Sequence, residues 1–190
     1  MPVKPWEYLS SEIRADYRIF RLRVDRSRSP RTGNTHDFFI LESPDWVNVI
    51  PLTPDNQVVL VRQWRHGTRS MTLEVPGGLV ESSDSPEEAA RRELLEETGY
   101  KAREITYLGA VEPNPAFLNN RCHTFLAMDV EKVSELSQDE KEDIEVVLRP
   151  MAQIPMLIRD GSISHSLVVA AFYRLFMEKE HFIKNLSCRP

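Results

Sequence analysis

The 190-residue chain is 41% apolar and 28% charged, with a formal net charge of −5, a composition that suits one folded domain and excludes a collagenous or disordered chain. No apolar run approaches the roughly 18 residues of a membrane span, and the opening "MPVKPWEYLSSE" lacks the basic-then-apolar pattern of a secretion signal. Two distant cysteines, Cys122 and Cys188, offer neither a zinc cage nor a disulfide framework and lead us to expect a reducing, cytoplasmic compartment.

In chain order, "YRIFRLRV" (17–24) alternates apolar and basic residues as a half-buried strand should. "SRSPRTGN" (27–34) is turn material and "HDFFILE" (36–42) reads as the partner strand, so residues 1–44 are predicted to form an N-terminal hairpin extension. The main domain is predicted over 45–185. It opens with a hairpin of 46–52 and 57–64 around "TPDN", then a short strand at 72–75 that ends in "PGG". An acidic helix is predicted at 86–98, later strands at 103–112, 121–130 and 145–150, and closing helices at 151–160 and 164–184. This order implies an α/β fold with a mixed sheet and helices on both faces.

Charge is unevenly spread. Residues 1–33 carry 8 Lys/Arg against 4 Asp/Glu, whereas 81–100 carry 7 acids against Arg91 and Arg92, and a further acidic cluster, "DEKEDIE", lies at 139–145. An acidic chain with no extended basic face excludes a general nucleic-acid binder. The split suits a small anionic ligand held by arginines and by cations bound to carboxylates.

The acidic helix carries its own boundary signals. Ser85 is an N-cap, Pro86 takes the first helical position, Glu88 completes a capping box and Gly99 supplies the stop. Within it Glu93, Glu96 and Glu97 crowd together, although like charges three or four apart destabilise a helix by roughly 0.2–0.5 kcal/mol per pair. Glu93 and Glu97 border the Ala90/Leu94 stripe that should face the sheet, so a neutralising cation is expected. Oxygen-only donors select Mg²⁺ or Mn²⁺ over zinc. The plainer alternative is a solvated helix with Glu88 and Arg92 as an i,i+4 pair.

The stretch Gly78, Asp84, then "RELLEETGY" from Arg92 to Tyr100 resembles the Nudix box, G-x5-E-x7-R-E-U-x-E-E-x-G-U, with Asp84 standing where the family has Glu. The resemblance implies a Nudix α/β/α sandwich in which Glu93 and Glu97 are metal ligands, Glu96 belongs to the same cluster, Gly77 adds a carbonyl, and Arg92 orients the carboxylates. The pattern R-Q-x-R at Arg62, Gln63 and Arg65, with "LEVPGG" after it and Pro115 fifteen residues past Tyr100, is similar to the ADP-ribose and nucleoside-diphosphate-sugar pyrophosphatase branch. Arg65, Arg62 and Pro115 are then expected at the substrate, because guanidinium groups suit diphosphates. The same resemblance puts a glutamate-bearing loop before the last strand, making Glu142, with Glu140 second, the expected base or further ligand. It also implies that the N-terminal hairpin is an exchanged dimerisation segment; Phe20 or another aromatic of that hairpin is then a candidate to cover a partner's nucleobase, and an arginine from 18–31 a candidate to reach the partner's diphosphate or base. The expected activity is metal-dependent cleavage of ADP-ribose or a nucleoside-diphosphate sugar. Alternatives are action on dinucleoside polyphosphates or nucleoside triphosphates, and a Nudix-like binding module without turnover. The five histidines show no mutual metal spacing and are read as structural, His66 beside Arg65 being the one that merits a test. Trp6, Trp46 and Trp64 are read as core or dimer contacts.

Overall fold

The computed structural model describes residues 2–135 and 143–186, with side chains to residue 178. Contacts divide the chain into two units: 1–44 with 112–121, and 45–111 with 122–190.

The first unit is an antiparallel meander of β1 (Glu7–Asp16), β2 (Arg21–Arg28) and β3 (Thr35–Glu42), with β2 in the middle. It differs from the expected two-strand hairpin. Residues 17–20 are a tight turn, closed by Tyr17 N–H donating to Phe20 O at 2.9 Å, with Arg18 at φ 68°. The second strand therefore starts at Arg21 and runs through "SR" at 27–28. β1 was not anticipated, because its side chains are nearly all exposed and have no apolar period. It is held by backbone pairing and polar cross-strand contacts, such as Ser11 Oγ donating to Asp25 at 2.6 Å and Arg28 to Glu7 at 2.9 Å. The 112–121 segment packs with this unit: Leu41 N–H donates to Phe117 O at 2.7 Å, and Asn120 Nδ2 donates to Pro44 O at 3.0 Å.

The second unit begins with β4 (Trp46–Pro51) and β5 (Gln57–Arg65), followed by β6 (Ser70–Glu74) and the helix α1 (Pro86–Thr98). Then come β7 (Tyr100–Lys101), β8 (Ile105–Val111), β9 (Cys122–Ala127), β10 (Glu131–Lys132) and β11 (Ile144–Pro150). A 3-10 turn at Met151–Gln153 leads into α2 (Ile154–Arg159), and α3 (Ser166–Leu186) follows. β4 runs parallel to β9, which pairs antiparallel with β8; β5 sits antiparallel between β11 and β6. β7 and β10 form a small ladder.

β4 and most of β5 bury both faces, so they read as near-continuous apolar runs. Val47 and Val49 of β4, Val59 of β5 and Phe125 of β9 pack against Ala89, Ala90 and Leu94 of α1. Ile50, Val58, Leu60 and Leu126 face the other way, onto Val168, Ala171, Phe172 and Leu175 of α3. Each such buried Val, Leu, Ile or Phe side chain contributes about 1.5–3 kcal/mol. The result is the α/β/α layering expected from the sequence, with α1 on one side and α2 and α3 on the other.

Candidate active site

The signals at the ends of α1 act as read. Ser85 Oγ accepts from Glu88 N–H at 3.3 Å, Glu88 Oε2 accepts from Ser85 N–H at 2.8 Å, and Gly99, at φ 71°, donates its N–H to Leu95 O. A helix fixed at both ends gives its side chains a set direction. Glu97 is buried, with 7% of its surface exposed, and its Oε2 accepts from Gly77 N–H at 2.9 Å. The segment after β6 is strapped to β4, Val49 N–H donating to Pro76 O and Val47 N–H to Gly78 O, both at 2.9 Å. This closeness requires the glycines. A Cβ on Gly77 would collide with Val47 O, and one on Gly78 would collide with the Glu93 carboxylate.

Arg92 ties the remaining anions together. Nη1 donates to Glu93 Oε1 at 2.9 Å and to Glu96 Oε2 at 3.2 Å, Nε donates to Asp84 Oδ2 at 3.2 Å, and Nη2 donates to Leu79 O at 3.1 Å. Burial works against its charge, but the Glu93 charge and the bonds to Asp84, Glu93 and Glu96 outweigh that and hold Arg92 above its ordinary pKa. The Glu88–Arg92 pair of the plainer alternative does not form: Glu88 is engaged in the cap, and Glu87 takes Arg91 at 2.9 Å. Asp84, one methylene shorter than the family residue, still reaches the guanidinium.

Among the described residues no three His, Cys, Asp or Glu side chains close around one point. The reason lies in the partners just named. Arg92 holds oxygens of Glu93 and Glu96, and an amide holds one of Glu97, so a cation would compete for oxygens that are already gathered. As a donor set, they are all hard oxygens beside a backbone that a single Cβ would block, which fits Mg²⁺ or Mn²⁺.

The Gly77–Gly78 backbone also lines a cavity of about 610 Å³, shared with Trp46, Asn48, Arg65, Glu74, Cys122 and His165. Arg65 grips Glu74 side-on, Nε to Oε1 at 2.8 Å and Nη2 to Oε2 at 2.7 Å. Thr72 Oγ1 donates to Glu74 Oε1 at 2.6 Å, and His165 Nδ1 lies 3.1 Å from Oε2. Burial alone would raise the Glu74 pKa, but the Arg65, His165 and Thr72 contacts overcome it and hold the carboxyl well below the usual range. The bond to Glu74 raises the Arg65 pKa despite burial, with smaller contributions from the charges of Glu74 and Glu97. The Cys122 thiol is pushed up to about 12 by burial, then by the Asp45 charge.

The expected substrate residues are not all brought together. Arg62 lies three positions from Arg65, hence on the opposite face of β5, where it donates to Glu145 at 2.9 Å and borders a separate cleft of about 190 Å³ with Arg149. Pro115 is exposed and belongs to the first unit. Glu140 and Glu142 fall outside the described residues. His66 is exposed in the turn after β5. Trp46 lines the cavity, Trp64 is 47% exposed, and Trp6 packs edge-on against His36 and Phe38 in the first unit, where Phe20 lies against Tyr17. Glu74, Thr72 and His165 were not anticipated as site residues. For Glu74 a signal existed: an acid flanked by Leu73 and Val75 in a short apolar strand must find a cation.

Comparison with known proteins agrees with this geometry. Residues 43–172 match the NUDIX domain. The chain is 31% identical over 166 residues to the ADP compounds hydrolase NudE of Escherichia coli (strain K12), covering 87% of this chain and 88% of that one. It is 35% identical over 109 residues to the ADP-ribose pyrophosphatase of Bacillus subtilis (strain 168), covering 57% and 59%. A crystal structure of an ADP compounds hydrolase superposes with a TM-score of 0.82 at 25% identity, over 95% of this chain and 98% of that one.

Proposed function

The chain belongs to the Nudix family, and we propose that it is a divalent-metal-dependent pyrophosphatase that cleaves ADP-ribose or a nucleoside-diphosphate sugar into a nucleoside monophosphate and a sugar phosphate. One observation supports this above the others. The backbone of Gly77 and Gly78, against which Glu93 and Glu97 are pressed, also lines the cavity that holds Arg65.

Glu93 and Glu97, with Glu96 and the Gly77 carbonyl, would hold Mg²⁺ or Mn²⁺. A cation bound there supplies charge neutralisation of the diphosphate and lowers the pKa of an attacking water. Arg92 keeps the carboxylates gathered and need not touch substrate. Arg65 keeps Nη1 for a phosphate while Nε and Nη2 stay on Glu74, and the proposed diphosphate contact goes to Arg65 rather than Arg62. Glu142, with Glu140 second, is proposed to take the proton of the water.

We further propose a cytoplasmic homodimer. Tyr8, Ile13 and Phe38 of the first unit are 63%, 46% and 39% exposed and share one face of the meander, apolar surface that a second copy would cover. Among the described residues no helix is long and apolar enough to cross a membrane. Light scattering on the eluting peak should give twice 22.0 kDa; a monomer at micromolar concentration would remove the dimer.

The deciding experiment is a substrate panel of ADP-ribose, GDP-mannose, UDP-glucose and a dinucleoside polyphosphate, read by phosphate release after phosphatase coupling. The expected result is release from ADP-ribose or a sugar nucleotide that a chelator abolishes. Cleavage of the polyphosphate alone would move the chain to the other hydrolytic class. An inert panel would leave a binding module.

A further inference from the structure

Glu74 and His165 have no task in the hydrolysis just outlined, yet both line the cavity that holds Arg65. Glu74 is an expensive group to keep there. It is 2% exposed, and a buried ion pair is often no more stable than the apolar side chains that could replace it. What it does provide is direction. Arg65 has a side chain 45% exposed, free to sample many rotamers were it not bonded. The side-on grip through Nε and Nη2 fixes the guanidinium plane and leaves the Nη1 end as the edge available to an anion. His165, from the segment just before α3, brings Nδ1 to 3.1 Å from the same carboxylate, though not in hydrogen-bonding geometry. Thr72 holds Oε1 from the neighbouring position on β6 and so fixes the carboxylate itself.

We infer that Glu74 is a positioning residue that aims Arg65, in the cavity that His165 also lines, at one phosphate group of a nucleoside-diphosphate substrate. This rests on the pyrophosphatase reading and deepens it. Arg65 and Glu74 cancel in charge, so what the pair offers a ligand phosphate is a directed N–H edge. The other charged or titratable groups bearing on this pair are His165, Cys122, whose raised pKa keeps it neutral, and Glu97, whose charge acts on Arg65. A purely structural ion pair would act on stability alone; an aiming device acts on substrate binding and works through Arg65.

The test is a double-mutant cycle on full-length protein with ADP-ribose, or with whichever panel substrate the wild type cleaves. Glu74→Gln keeps the shape and removes the charge, and KM should rise about tenfold while kcat stays within about threefold. In an Arg65→Ala background, Glu74→Gln should add less than about twofold to KM, because its effect passes through the arginine. Thr72→Val leaves every charge in place, and a KM rise of about two- to threefold is expected; it also carries the test if Glu74→Gln does not fold. Independent, multiplying effects of Arg65→Ala and Glu74→Gln would overturn the inference while leaving the pyrophosphatase intact. So would variants that melt earlier with KM unchanged. A well-folded wild type that cleaves no nucleoside-diphosphate compound would overturn both, a result distinguishable because no variant is needed to see it.

Discussion

Arg92 and Arg65 both gather carboxylates on the second unit, in opposite ways. Arg92 spreads its three nitrogens over four residues, Leu79, Asp84, Glu93 and Glu96. Arg65 commits two nitrogens to a single buried acid, Glu74. An arginine shared among several anions gathers and orients those anions. An arginine clamped by one immobile anion is itself oriented, and its remaining edge becomes a tool. On the reading proposed above, one arginine serves the chain's own carboxylates and the other a ligand.

The comparison breaks most readily at the carboxylates. Glu97→Gln keeps the contact with Gly77 N–H but removes charge from a proposed metal ligand, and kcat should fall by at least about 100-fold. Steady-state kinetics at saturating metal measures it, and near-normal turnover would take Glu97 out of the metal site. Next in size is Arg92→Lys. A lysine keeps the charge but cannot span four acceptors, so kcat should fall about 10-fold or more and the metal concentration for half-maximal rate should rise. If KM for substrate rises instead, Arg92 belongs with Arg65 and the contrast fails.

A smaller effect lies in pH. The folded-state pKa of Glu74 lies below its unfolded value, so its contribution to stability is complete above the unfolded value, near 4.3, and is lost as pH falls towards the folded one. The difference in melting temperature between wild type and Glu74→Gln should therefore be constant from pH 6 to 8 and should shift in favour of the variant below about pH 4. A gap that stays flat down to pH 3 would show that the carboxylate is not held ionised. Smallest of all is Asp84→Glu. Asp84 already reaches Arg92 at 3.2 Å, so kcat should stay within about twofold and stability within about 0.5 kcal/mol; a tenfold gain in rate would mean that the shorter acid leaves the loop misplaced.

What could be read from the sequence followed the range of the interactions. The α1 helix was legible to the residue because Ser85, Pro86, Glu88 and Gly99 act locally on their own backbone. β4 and β5 were legible as strands, but the hairpin expected between them does not form: β4 pairs with β9, and β5 with β11 and β6. β1 was not, since its pairing with β2 rests on backbone bonds and salt links that leave no apolar period. The R-Q-x-R pattern led us to expect two substrate arginines, whereas the period-2 alternation of a strand sends Arg62 to Glu145 and Arg65 to Glu74. That separation was available in the spacing itself. The meeting of His165 with Glu74 was not, because it joins residues 91 positions apart and depends on where α3 begins.

Cys122 gives the cavity wall a chemical clock. Its thiol is buried there and pushed up to about 12 by burial, so at neutral pH it stays in the unreactive protonated form. Alkylation by a maleimide must then wait for the wall to open. The labelling rate at this one residue measures how often the wall parts, and a phosphate compound seated in the cavity would slow it.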